Sequence, residues 1–371
     1  MTLVFTEEHE ALRGSVRAFL EDRSPESEVR RLAETADGFD PGVWEQMSQM
    51  LGLPGLIVPE ELDGAGAGYV ELGIVLEEMG RALLPAPFFS TVVLGVNALL
   101  LSGDGDAQKA YLPSIAAGRL RATLAVAEAR DVWSEQAIET RATRSGDTWV
   151  LDGVKDFVLD GATAELVLVV ARAEDGVGLF AVDAGAAGLT STPLETLDQT
   201  RRQARLTFAS TPATLVGETR DGWRVVAEVL DRALVALAAE QVGGAQKVLE
   251  MAVGYAATRV QFGRQIGSFQ AIKHRCADML IDVERAKAAM YQALWTVDHE
   301  PAETSAAAAL AKAFCSEAYF DAASSNIQVH GGIGYTWEHP AHLYFRRAKS
   351  SQLLFGTPGH HREVLLQKLA V

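Results

Sequence analysis

Between Ala122 and Thr214 the chain reads as short β-branched and aromatic runs. These are Leu124-Ala-Val-Ala-Glu-Ala129, Asp147-Thr-Trp-Val-Leu-Asp-Gly-Val-Lys-Asp-Phe-Val-Leu-Asp-Gly161, Glu165-Leu-Val-Leu-Val-Val-Ala-Arg172, Gly178-Leu-Phe-Ala-Val-Asp-Ala184 and Arg202-Gln-Ala-Arg-Leu-Thr-Phe-Ala-Ser210. Turn groups such as Ser145-Gly146-Asp147 and Asp152-Gly153 separate them. Strands at this spacing, with no helical pattern between them, predict an antiparallel barrel or sandwich.

On either side of this segment the period changes to that of helices. Apolar residues recur at three- and four-residue spacing from Phe5 to Leu20 and from Val43 to Leu51, then from Val70 to Met79 and from Phe88 to Leu101. Pro59 and the glycine-rich Asp63 to Gly68 stretch interrupt that pattern, and Pro113 and Gly118 close it. Beyond Asp221-Gly222, Val226, Leu230, Leu234, Leu237, Ala245, Leu249 and Ala252 keep one face apolar along a single long helix. Further long helices are predicted from about Phe269 to Val297 and from Glu303 to Val329, with alanine-rich faces suited to a bundle. The expected fold is therefore mostly α with a central antiparallel β domain: an N-terminal helical domain over 1–117, a β domain over 118–218 and a C-terminal four-helix bundle over 219–371.

Composition narrows the function. With 49 acidic against 33 basic residues the formal charge is −16, which argues against a nucleic-acid partner held by neutralised phosphates. An apolar fraction of 48% is ordinary for a packed globule. Cys276 and Cys315 are the two cysteines, too few for a disulfide framework or a CxxC metal pair. The first residues place Glu and His where a signal peptide needs an apolar core, and no run of ~18 apolar residues is present. A cytoplasmic protein with no membrane association is expected.

The common catalytic motifs do not occur: there is no GxxxxGK[ST], HExxH or GxSxG, and Asp63-Gly-Ala-Gly-Ala-Gly68 lacks the GxGxxG spacing. His360 and His361 are adjacent, so on a helix they point ~100° apart; a solvent-facing or helix-terminal role is expected, and no metal. Two segments carry the chemistry instead. One is Tyr255-Ala-Ala-Thr-Arg-Val-Gln-Phe-Gly-Arg-Gln-Ile-Gly-Ser-Phe-Gln270. The other is Gln328-Val-His-Gly-Gly-Ile-Gly-Tyr-Thr-Trp-Glu-His-Pro340, followed by Tyr344-Phe-Arg-Arg-Ala-Lys349. Arg259 offers a planar fork for a phosphate oxygen, Phe262 a face for a ring, and Gln328 an amide beside a backbone that Gly331 and Gly332 strip of Cβ atoms.

Both segments closely resemble signatures of the acyl-CoA dehydrogenase family. Pro59-Glu-Glu-Leu-Asp-Gly64 leading to Leu76-Glu-Glu-Met-Gly80 is a third, weaker match, and the resemblance covers essentially the whole chain. It implies α,β-dehydrogenation of an acyl-CoA thioester with FAD as cofactor, the electrons leaving to an electron-transfer flavoprotein. It also implies that Arg259, Gln261, Phe262, Ile266, Gln270, Gln328, Gly331, Gly332 and Thr357 contact FAD, most of them reaching the ADP part of a neighbouring subunit's cofactor.

The departures from the family are as informative. The string that usually carries the catalytic Glu is here Leu354-Phe355-Gly356-Thr357, and the alternative base position aligns with Ala233. Glu240 remains as a candidate base: it falls on the helix face of Ala233, Ala236, Leu237, Gly243 and Gly244, although roughly 10 Å along the axis from Ala233. Its alternative reading is a bundle-seam carboxylate paired with an Arg of another helix. Two flavin-bonding hydroxyls of the family are replaced by Ala127 and Leu159, and its Gly-Ser-Asp turn is missing from Ala129 to Trp133. The half-site lent to a neighbour is thus kept while the chain's own flavin half is eroded. This resembles one subunit of the heteromeric α2β2 acyl-CoA dehydrogenases that degrade steroid side chains, in which a sister subunit carries flavin and base. A self-sufficient homotetramer using Glu240, and a non-catalytic scaffold subunit, are the alternatives.

Overall fold

A computed structural model describes residues 5–129, 134–146 and 148–369. The chain divides into two compact units, each assembled from separated stretches: 1–30, 69–84 and 234–371 form one, and 31–68 with 85–233 form the other.

In the first unit the helices are α1 (Glu7–Arg23), α4 (Tyr69–Ala82), most of α7 (Gly222–Thr258), α8 (Gln270–His299), α9 (Thr304–His330), α10 (Ala341–Leu353) and α11 (Pro358–Lys368). Their ends follow local chemistry. Thr6 caps α1 in a reciprocal box with His9, and three glutamates occupy its first turn, where the helix dipole favours anions. Thr357 with Pro358 at the first helical position starts α11. The bundle core is built from small and branched residues, among them Ala245, Val248, Ala252, Val283, Tyr319 and Ala323. Among the described residues no helix is long and apolar enough to cross a membrane.

Where α4 crosses α7, backbone meets backbone. A Cβ on Gly243 would lie 1.8 Å from the Glu77 carbonyl oxygen, and one on Gly80 would lie 2.0 Å from the Glu240 carbonyl oxygen. The close crossing buries Glu77, Glu78 and Glu240, and each carboxylate has an arginine. Arg13 donates to Glu77 (2.8 Å) and Glu78 (3.2 Å), Arg17 forks onto Glu78 (2.8 and 2.7 Å), and Arg347 donates to Glu240. Tyr291 of α8 joins the first group, donating to Glu77 at 2.5 Å.

The second unit holds α2 (Glu26–Ala33, from Arg31 onward), α3 (Pro41–Leu51), α5 (Asn97–Ser102), α6 (Gly105–Ala116) and the β domain. The helix expected from Phe88 to Leu101 is realised as a π-helix over Phe89–Val96 that passes into α5. The strands are β1 (Ala122–Ala125), β2 (Arg141–Ser145), β3 (Thr148–Leu159), β4 (Leu166–Arg172), β5 (Val177–Asp183), β6 (Leu189–Pro193) and β7 (Gln203–Val216). The pairings β4-β2-β3-β7-β5 return to β4 and so close a barrel. Most are antiparallel, but β1 and β2 pair with β4 in parallel, a departure from the wholly antiparallel expectation. Parallel neighbours need a long connection, and the excursion between β1 and β4 supplies one. Leu151, Val167, Val169, Phe180 and Leu206 fill the interior.

Three glycines of α7 separate close packing from helix propensity. Gly243→Ala should lower the unfolding free energy by ~1–3 kcal/mol because the clash is with backbone. Gly254→Ala, with open space around its Cβ, should raise it by about 0.5–1 kcal/mol. Gly244, whose Cβ would meet the Tyr319 ring, should fall on the destabilised side. Denaturant midpoints of the three variants check the order.

Candidate active-site elements and the cofactor surface

The end of α7 builds the first group of candidate residues. The helix stops at Thr258, and the Arg259 N–H donates to the Tyr255 carbonyl at 2.8 Å. A two-stranded hairpin follows, β8 (Val260–Gln261) and β9 (Arg264–Gln265), with Phe262 (φ 52°) and Gly263 (φ 77°) at its tip. Phe262 is 91% exposed and meets Phe269 edge to face at 6.1 Å, and the Arg264 guanidinium lies 4.1 Å from the Phe269 ring centre. Arg259 and Gln261 are exposed, Ile266 packs partly into the bundle core, and Gln270 opens α8 with its side chain exposed. The hairpin separates α7 from α8, so Arg259 and Gln270 do not share one continuous helix.

The second group lies at the end of α9. Gly331 takes φ 63°, and the chain tightens into a 3-10 turn over Gly331–Tyr335. Gln328 is exposed, with its amide donating to the Tyr335 hydroxyl at 3.4 Å. A Cβ on Gly331 or Gly332 would meet nothing within 4 Å, so the bare backbone faces open space. The two groups are brought together by Tyr255 of α7, whose ring stacks on His330 at 4.3 Å. Thr357 caps α11, its hydroxyl accepting from the His360 N–H at 3.3 Å.

An exposed guanidinium, an exposed aromatic face, three amides and an open glycine backbone suit a diphosphate and a nucleoside ring. The ADP portion of FAD fits this surface.

The base positions are of another character. Phe355 is 7% exposed and holds a left-handed φ of 60°, and its carbonyl accepts from His361 Nε2 at 2.9 Å. Burial pushes the His361 imidazole down to about 4, so it is a neutral donor that fixes this turn. Of the two roles expected for the adjacent histidines, His360 is solvent-facing and His361 is helix-terminal, buried at the start of α11 with its ring nitrogen donating to that carbonyl. Among the described residues no group of three or more potential ligands could hold a metal. Ala233 is fully buried and apolar. Glu240, the candidate base, is 6% exposed, and Arg347 NH1 donates to its Oε1 at 2.5 Å. A buried carboxylate held by a buried guanidinium is engaged in packing α7 against α10, which matches the seam reading.

In the β domain, Ala127 and Leu159 present no hydroxyl. The Ala127 carbonyl accepts from the Asp156 N–H at 2.9 Å, and Leu159 is buried. Between Lys155 and Val158 the register shifts by one residue, a bulge on β3 that gives Phe157 φ 55° and leaves its ring 55% exposed. Of the expected missing turn, residues 130–133 lie outside the described residues. The sequence reading missed what holds this end of the barrel. Lys155 is fully buried, with Nζ 2.6 Å from Glu128 Oε1 and 3.0 Å from the Val126 carbonyl. Glu128 also accepts from the Glu139 and Thr140 N–H groups. Burial drives the Lys155 ammonium down to about 8 against the opposing pull of Glu128. Burial works against the Glu128 carboxylate too, but Lys155 together with the Thr140 hydrogen bonds holds Glu128 below the usual range. Ala127 and Leu159 thus offer no hydroxyl donor at the two positions where the family resemblance expects one.

Removing one member of the Lys155–Glu128 pair strands the other in the barrel wall. Lys155→Met should cost ~3–5 kcal/mol of stability. The double variant Lys155→Met/Glu128→Gln should recover most of that loss, as read by denaturant unfolding. Equal losses in single and double variants would show that the pair is not the cause.

Comparison with known proteins agrees with this architecture. Family models described as the acyl-CoA dehydrogenase N-terminal, middle and C-terminal domains match residues 6–119, 123–210 and 220–370. Acyl-CoA dehydrogenase IpdE2 of Mycolicibacterium smegmatis is 35% identical over 353 residues, covering 95% of this chain and 96% of that protein. The structure of the Tcur3481-Tcur3483 steroid ACAD aligns with a TM-score of 0.89 at 32% identity, over 98% of both chains. The ChsE4-ChsE5 complex from Mycobacterium tuberculosis aligns with a TM-score of 0.91 at 29% identity, covering 100% of this chain and 99% of that one. Family members are FAD-dependent oxidoreductases acting on CH–CH bonds. With all three domain models in order along its length, this chain belongs to the acyl-CoA dehydrogenase family.

Proposed function

We propose that this chain is the cofactor-completing subunit of a heteromeric acyl-CoA dehydrogenase. It presents the Arg259 hairpin and the Gln328–Gly332 turn to the ADP portion of an FAD whose ring and base belong to a sister subunit. The observation that carries this reading is the asymmetry between the halves: exposed polar and glycine groups suit a diphosphate, while Phe355, Ala233, Ala127 and Leu159 stand at the base and flavin-ring positions. When bound, FAD supplies the hydride acceptor for α,β-dehydrogenation of an acyl-CoA thioester, and an electron-transfer flavoprotein is the proposed oxidant. This chain's own contribution is binding and orientation: a bidentate cation for the diphosphate, a ring to stack, and a backbone that permits close approach. A phenyl ring takes no proton, so no base is assigned to this chain. The Tcur3481-Tcur3483 steroid ACAD and the ChsE4-ChsE5 complex each combine two proteins, which supports a sister subunit, and the steroid ACAD supports a bulky acyl group.

Purified alone, the chain should show little flavin absorbance near ~450 nm and no dehydrogenase turnover, whereas co-purification with its sister should restore both. In the complex, Arg259→Ala should lower the flavin bound per chain. Loss of flavin with this variant also separates a cofactor-binding subunit from a pure scaffold. Glu240→Gln should reduce stability by removing the charge from its buried bond with Arg347, and should spare turnover. A yellow, active protein obtained from this chain alone and silenced by Glu240→Gln would overturn the reading in favour of a self-sufficient homotetramer.

A further inference from the structure

The Arg259 hairpin and the Gln328–Gly332 turn extend from different helices, and rings join them. Tyr255, four residues before Arg259, stacks on His330 at 4.3 Å with an interplanar angle of 27°. His339, two residues before α10, packs on His330 at 4.2 Å and 42°. Hydrogen bonds fix the tautomers. His330 Nδ1 lies 2.9 Å from the Asn326 carbonyl, which only accepts, so Nδ1 carries the proton. His339 Nδ1 accepts from the Ala341 N–H at 3.2 Å, so neutral His339 carries its proton on Nε2.

A second proton on His339 has one place to go, Nδ1. It would break the bond to the first residue of α10, add a cation at the positive end of that helix, and face His330 at ring-contact distance. The surroundings offer little compensation. Glu26 of α2 favours the cation but is engaged with Arg30 at 2.7 Å, while Arg30 and His342 oppose it. The two histidines also line a cavity of about 610 Å³ with Arg17, Glu21, Glu78, Arg81, Lys247 and Glu250. In that wall, which Glu26 also lines, Arg17 pairs with Glu78 and Arg81 with Glu250, which leaves Glu21, Lys247 and Glu26, the last held by Arg30. Burial lowers the proton affinity of His330 and His339 first, and for His339 the facing His330 lowers it further.

We propose that Tyr255, His330 and His339 are positioning residues for the ADP-binding surface, clamping the Arg259 hairpin to the Gln328–Gly332 turn only while both imidazoles are neutral. The clamp rests on the reading of that surface given above. Its sign follows from linkage: the intact surface favours neutral rings, so it is complete above the ordinary imidazole value of ~6.5 and loosens as pH falls through the lowered values.

The test uses the full chain between about pH 7.5 and about pH 5.5. Amide exchange of peptides covering Gln328 to Tyr335, corrected for the intrinsic rate, is measured by mass spectrometry. Histidine C2-hydrogen exchange in the same samples gives the titration midpoints of His330 and His339. Protection of the turn should fall about tenfold as His339 titrates. His339→Asn keeps an acceptor for the Ala341 N–H and takes no proton, so its turn should stay protected throughout. His330→Phe keeps a ring but no second cation, so the His339 midpoint should rise. A turn whose protection is unchanged through the His339 midpoint, or one that still opens in His339→Asn, overturns the clamp. Binding of a fluorescent methylanthraniloyl-ADP, followed over the same range, should weaken about tenfold in the wild type and stay level in His339→Asn. Opening of the turn together with no probe binding at any pH, and no effect of Arg259→Ala, overturns the ADP reading of the surface rather than the proton chemistry of the rings.

Discussion

The side-chain-free crossing of α4 and α7 governs the rest of the first unit. Gly80 and Gly243 let the two backbones approach until the Glu77 and Glu240 carbonyls occupy the space where a Cβ would be. Three carboxylates are buried as a result, and an isolated buried carboxylate is costly enough that each needs a fixed cation. Arg13 and Arg17 of α1 and Arg347 of α10 meet that need, so the helices carrying them are held where those guanidiniums must reach. The same constraint sets small residues around Glu240, the feature that singles it out in the sequence. Small neighbours around a carboxylate are the mark of a ligand pocket, and equally of two helices in backbone contact.

The two ends of the bundle differ in chemistry for reasons of exposure. At the end of α7 and α9 the polar groups point outward from turns with left-handed residues at Phe262, Gly263 and Gly331. Such turns cannot continue a helix, so they leave N–H groups and side chains free for a ligand. At Phe355 the left-handed turn is closed inward instead, with its ring buried and a neutral His361 donating to its carbonyl. One set of turns stays exposed, and the other turn is part of the core.

Much of this was legible in the residues. The change of period at Ala122 and again at Gly222 marks the β segment because strand and helix periods differ, and burial along β7 alternates as such a strand requires. The glycine motifs around Phe262 and Gly331 were legible because positive φ leaves a compositional trace. Less legible were the parallel pairings of β1 and β2 with β4, since pairing direction depends on where a long connection returns. The π-helix over Phe89–Val96 was hidden too, because a fully apolar run has no period to read.

The sequence by itself determined where helices and strands alternate, the family, and the apolar side chains of Phe355, Ala233, Ala127 and Leu159, because residue identity and period need no coordinates. Tertiary structure alone decided which charges are partners. Lys155 meets Glu128 across the barrel wall, Arg347 reaches Glu240 from more than a hundred residues away, and His339 comes to rest on His330. Those pairings depend on distances between elements set by packing, and the electrostatic consequence of a charge or a proton depends on what lies within a few ångströms of it.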